Sequence, residues 1–166
     1  MAELAPFCDI AVKLGAKDAK VISACNVFVE DWVRLKCQFG CGCYNTNLMC
    51  PPHSPDAETM RRVLAGYESA VLIHCEKSAQ VRKIIPQLER RVFLDGRYRA
   101  LGLACGPCYL CNECDSKSCL YPDEARPAME ACSIDVFKTA RTAGFDIKVL
   151  RSRRERGNYF GLVLVE

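Results

Sequence analysis

Apolar positions recur along the chain with helical spacing in four stretches. Phe7, Ile10, Ala11 and Leu14 fall at i, i+3, i+4 and i+7, one face of a helix. Pro6 suits its first turn and Gly15 its exit. Met60, Val63, Leu64 and Tyr67 mark a second helix, which Ser54-Pro55-Asp56 starts with an N-cap, a first-turn proline and an acidic residue. Val81, Ile84, Ile85, Leu88 and Val92 mark a third, kinked where Pro86 removes a backbone bond. Pro127 opens a fourth that runs to about Ala143, with Met129, Cys132, Val136 and Ala140 on one face and Gly144 at its end. Between them lie strand-like runs. Lys20 to Val29 is rich in Val, Ile and Phe, and Ala70-Val71-Leu72-Ile73 has the unbroken apolar character of a buried strand. Ile147 and Val149, then Phe160 to Val165, predict two closing strands. Two stretches, Cys37 to Ser54 and Cys105 to Pro122, have no period and read as loops. The expected architecture is α+β, a single domain over residues 1–166 with a small β-sheet, packed helices and two cysteine-rich loops that meet on one side.

Composition changes what the cysteines must be doing. With 166 residues, half of them hydrophobic, the chain can bury a core without crosslinks. Its 13 cysteines are an odd number, and the first residues lack the basic and apolar regions of a signal peptide. No apolar run approaches the ~18–20 residues needed to span a bilayer. A reducing cytoplasm is the simplest address, and there such thiols are metal ligands, redox groups or core residues. Net charge is +3, with arginines clustered at Arg90, Arg91, Arg97 and Arg99 and again at Arg151, Arg153, Arg154 and Arg156. Without interleaved aromatics these clusters read as solvated surface, or as docking points for an acidic protein, ahead of nucleic-acid binding.

The second loop carries the sharper chemistry. Cys108, Cys111, Cys114 and Cys119 give C-x2-C-x2-C-x4-C, with Pro122 shortly after. Two-residue gaps wrap the backbone so that successive thiolates point inward and amides reach their sulfurs. The bacterial ferredoxin run differs by one residue before its last cysteine, which points to a [4Fe–4S] cluster. Zinc is the alternative, although its knuckles are usually two separated C-x2-C pairs and not overlapping steps from Cys105 through Cys114. The first loop holds Cys37, Cys41, Cys43 and Cys50, spaced C-x3-C-x-C-x6-C-P-P, and reads as a second metal site. In ferredoxin topology a last cysteine can ligate the other cluster, so Cys50 or Cys119 is a candidate to cross over. Cys8, Cys25 and Cys75 read as core residues, Cys105 and Cys132 as core or reserve ligands. His53 reads as an exposed loop residue and His74 as a satisfied core or edge residue. If the helix after Pro127 faced the second loop, its N-terminus would favour a negative cluster. Phosphate loop, dinucleotide fingerprint, nucleophile elbow and HExxH motif are all absent.

The two stretches CQFGCGCYNTNLMCPPHSP and CGPCYLCNECDSKSCLYPDEARPAMEACSIDVFKTARTAGF resemble the cysteine-rich "predicted metal-binding protein" family, domain of unknown function 2284. The resemblance covers nearly the whole chain. It implies metal binding, with iron–sulfur foremost, in mostly anaerobic microbes, and brings no reaction. The positions matching Cys37, Cys41, Cys50, Cys108, Cys111, Cys114 and Cys119 are its expected ligands, with Cys43 ahead of Cys132 for the remaining place. The leading expectation is an electron-transfer protein or redox subunit with one or two [4Fe–4S] clusters and a redox partner protein. The alternatives are a zinc-stabilised interaction module, or a reductase or lyase whose cluster keeps an open site, as three ligands such as Cys37, Cys41 and Cys50 would leave.

Overall fold

The structure, a computed structural model, describes residues 2–115, 117–152 and 154–166. Five α-helices and four strands alternate among them: α1 (Ala5–Lys13), β1 (Asp18–Ser23), α2 (Asp31–Gly40), α3 (Ala57–Leu64), β2 (Ser69–Cys75), α4 (Ser78–Leu94), β3 (Leu101–Leu103), α5 (Val136–Thr142) and β4 (Tyr159–Leu164). The strands form one sheet in the order β1-β2-β4-β3, antiparallel at every step. Val71 stands opposite Val21 on one side and Val163 on the other.

Side chains alternate across a strand, and here both faces are covered. Val71, Ile73 and Cys75 pack with Phe7 and Ala11 of α1 and with Val81, Ile84, Ile85 and Leu88 of α4. On the other face, Ala70, Leu72, Leu162 and Leu164 pack with Met60 and Leu64 of α3, with Met129 to Ile134, and with Ala140 of α5. This double coverage is why β2 reads as an uninterrupted apolar run. Helix α4 lies close on the sheet because two glycines admit it. A Cβ on Gly161 would come within 2.6 Å of a Val81 methyl, and one on Gly102 within 2.7 Å of an Ile85 methyl.

The α+β class is as expected, and several boundaries differ for physical reasons. Helix α2 takes in Cys37, which the periodless reading put in a loop. Its pattern is hidden because Val33 is its only buried residue while Leu35 and Phe39 are exposed. Helix α3 starts later than Ser54, with Asp56 as its N-cap accepting from the Thr59 amide at 2.8 Å. The stretch after Pro127 is broken. A short 3₁₀ turn at Glu130–Cys132 ends at Ser133, whose φ of 65° is left-handed, and α5 restarts after Asp135. Tertiary partners win there: Glu30 N–H donates to the Ser133 carbonyl and Asp135 N–H to that of Phe28. No strand forms at Ile147 and Val149, where Ile147 is buried in the core and its carbonyl accepts from Arg141. The first arginine cluster is partly structural as well. Arg97 pairs with Glu166 at 3.3 Å, and Arg99 donates to the Gly66 carbonyl. Of the second cluster, Arg153 lies outside the described residues.

Candidate metal centre

The second cysteine loop is closed at its base by main-chain bonds, and the first is held mainly by side chains. For the second, Ala104 N–H donates to Pro127 O at 2.8 Å and Met129 N–H to Ala104 O at 2.9 Å, so the chain leaves and returns at one point. Arg126 fastens the exit, donating to Pro122 O at 3.0 Å and pairing with Glu89 of α4. Between these ends the loop has no regular structure and carries Cys108, Cys111, Cys114 and Cys119, all half-buried. Burial, then the neighbouring thiols of Cys114, Cys108 and Cys119, push the Cys111 thiol above its ordinary pKa. Like groups near one another oppose one another's ionisation, so Cys111 lies within charge range of the other three.

The first loop begins inside α2. Cys37 sits in its last turn, Cys41 is the residue at its C-cap, Cys43 lies in the turn beyond, and Cys50 is buried at the far end. Burial raises the Cys37 thiol, helped by Cys41 and the Glu130 carboxyl and opposed by Arg34. Cys43 is raised by burial and by Cys41, and Cys50 by burial and by Cys43, Cys41 and Cys37. Cys50 and Cys119 thus each sit with the thiols of their own loop. Two polar residues that spacing does not single out hold this loop. Asn47, buried beside Cys50, donates its amide N–H to the Cys50 sulfur at 3.3 Å. Arg34 reaches the carbonyls of Pro52, Ser54 and Pro55, and the buried Ser54 hydroxyl donates to Ala131 O at 2.7 Å. Asn47 shares a small cavity, through Leu48 and Met49, with Cys108, Cys111, Cys114 and Cys119. The two loops therefore meet, as expected.

The remaining candidates separate cleanly. Cys75, Cys105 and Cys132 are buried, their thiols pushed up to about 11, 12 and 12, chiefly by burial. Cys8 packs at the edge of the core, whereas Cys25 is exposed and not a core residue. His53 is exposed and bonded to Asn45, while His74 is buried, bonded to Asn158 at 2.8 Å and stacked on Phe160. The expected helix N-terminus at Pro127 does not exist, and the helix end nearest Cys37 and Cys41 is the C-terminus of α2, so no dipole favours an anion there.

The donor set of each group is four thiols with no carboxylate or imidazole among them, the soft set that suits zinc or iron–sulfur. Among the described residues no three Cys, His, Asp or Glu side chains converge tightly enough to hold a single metal ion. The thiols are near enough to feel one another's charge without closing on one point. By donor chemistry both groups fit a thiolate-bound metal.

The chain belongs to the family described as predicted metal-binding protein, domain of unknown function 2284, whose pattern matches residues 20–165. No curated protein and no solved structure matches it.

Proposed function

Starting from membership of that metal-binding family, we propose that the two thiol groups each hold one [4Fe–4S] cluster, Cys37, Cys41, Cys43 and Cys50 in one and Cys108, Cys111, Cys114 and Cys119 in the other, and that the protein transfers electrons. What supports this reading is that thiols within each loop lie near enough to oppose one another's ionisation, on two loops that touch. A tetrahedral zinc needs four sulfurs about 2.3 Å from one centre. A cube takes each thiolate on a different iron and so suits thiols that interact without converging. When bound, such a cluster supplies reversible one-electron chemistry. The chain's own residues would tune and connect it. Asn47 directs an N–H at the Cys50 sulfur, which favours the more electron-rich state. Leu48 and Met49 bridge the two groups through shared apolar surface. Tyr109, Leu110, Leu120 and Tyr121 are exposed around the second loop, where a redox partner protein would press against it. Among the described residues no helix is long and apolar enough to cross a membrane.

A second reading, a catalytic cluster at the first loop, is favoured by one observation: Cys37 and Cys41 form part of the wall of a cavity. The electron-transfer reading is tested by anaerobic purification followed by dithionite. The expected protein is brown and bleaches reversibly on reduction. A colourless protein that carries zinc overturns the reading and leaves a zinc-stabilised interaction module.

A further inference from the structure

Beside the first thiol group, residues 147–150 and 157–158 and one side of α2 border an open cavity of about 390 Å³. That is within the usual size range of small-molecule pockets, ~300–1,000 Å³. Its walls are mostly apolar and include flat aromatic surface from Trp32, Phe137 and Tyr159. Cys37 and Cys41 close one side. Glu130 forms part of this wall, and its Oε2 lies behind the wall surface, shielded from solvent and with no hydrogen-bond partner among the described residues. An orphaned buried carboxyl oxygen is costly for the folded chain, by about 1–3 kcal/mol or more. Such a group is kept where something else bonds to it.

The charges at the mouth add a second requirement. Lys36, lying 5.1 Å over the Trp32 ring, and Lys148 both border the opening and are exposed. Lys148 is shared with Asp146 at 3.1 Å. The other carboxylate on the wall, Asp135, is already engaged as the cap of α5, accepting from the Lys138 amide at 2.9 Å.

We propose that this cavity binds a planar organic anion that carries an N–H or O–H donor. The flat body lies between the aromatic walls, the Glu130 side chain turns its carboxyl to the cavity surface to meet the donor, and the anionic group faces Lys36 and Lys148. In either protonation state the carboxyl keeps an acceptor oxygen for that donor. The ligand would lie against Cys37 and Cys41. The inference stands on the cavity and not on the identity of the metal.

The test uses 4-hydroxybenzoate, which has a flat body with an O–H donor at one end and an anion at the other. Calorimetric titration of the whole, metal-loaded protein is expected to give one saturable site per chain. Glu130→Met keeps the size and removes the acceptor, and is expected to weaken binding ~tenfold. Lys148→Glu, at an exposed position that the fold does not need, is expected to weaken it ~threefold, less so in high salt. Absence of a saturable site overturns the proposal, as does wild-type affinity in either folded variant. Should Glu130→Met fail to fold, Lys148→Glu alone decides. Iron and sulfide measured on the same samples separate this result from the cluster reading: binding with this pattern in protein lacking sulfide refutes the cluster and leaves the cavity assigned.

Discussion

At the scale of single residues, the thiols divide by environment and not by spacing. Cys75, Cys105 and Cys132 are sealed in the core, with pKa values raised to about 11, 12 and 12 by burial. An ordinary thiol ionises near ~8.5. The unfolded chain therefore gives up these protons first as pH rises. The stability they contribute is intact below about pH 8.5 and is lost as pH climbs towards 11–12. Two outcomes are expected: these three thiols resist alkylation in the native protein at pH 7.5, and the melting temperature falls between pH 8 and 11. A flat melting temperature over that range would contradict the assignment. Asn47 makes a prediction of a different kind. Removing its N–H···S bond in Asn47→Ala takes away about 1 kcal/mol that favours the reduced state. The reduction potential of one of two centres should fall by roughly 40 mV, on the scale of ~59 mV per tenfold for one electron. A potential unmoved in a folded variant would remove Asn47 from the site. Neither Asn47 nor Glu130 was legible in the sequence, because Asn47 is marked only by its burial beside Cys50 and Glu130 only by the tertiary wall that surrounds it.

At the scale of elements, what was legible follows from how each one buries its side chains. Helices α1, α3 and α4 show their stripes because each lays one face on the sheet, and β2 and β4 show continuous runs because both faces are covered. Helix α2 hides because most of it faces solvent, and β3 because three residues make no pattern. The helix expected from Pro127 had the right period. It is broken because its backbone groups bond instead to the segment before α2, at Glu30 and Phe28, which no local pattern announces. The close seating of α4 supplies the test at this scale. Gly161→Ala would drive a methyl into Val81 and Ile85 at 2.6–2.9 Å. Overpacking of this kind costs about 1–3 kcal/mol. Chemical denaturation should show that loss with an unchanged slope, since the surface exposed on unfolding stays the same. A variant as stable as the parent would mean that the helix is not seated where it is described.

At the scale of the whole molecule, a covered antiparallel sheet carries two cysteine loops, the first pinned by Arg34 and the second by main-chain bonds and Arg126. The spacing of the eight cysteines already divided them into two sets. What it left open was whether a ligand crosses between the loops; the thiols that raise Cys50 and Cys111 all belong to the same loop as the thiol they raise, which supports the proposal of no crossing. The proposal of two independent centres expects each to survive the loss of the other. The decisive measurement is iron and acid-labile sulfide per chain in three anaerobically purified proteins: the parent, Cys41→Ser/Cys43→Ser and Cys111→Ser/Cys114→Ser. Two separate [4Fe–4S] centres require about eight iron and eight sulfide in the parent and about four of each in either variant. Loss of all iron in one variant, or zinc without sulfide in the parent, would contradict two independent iron–sulfur sites.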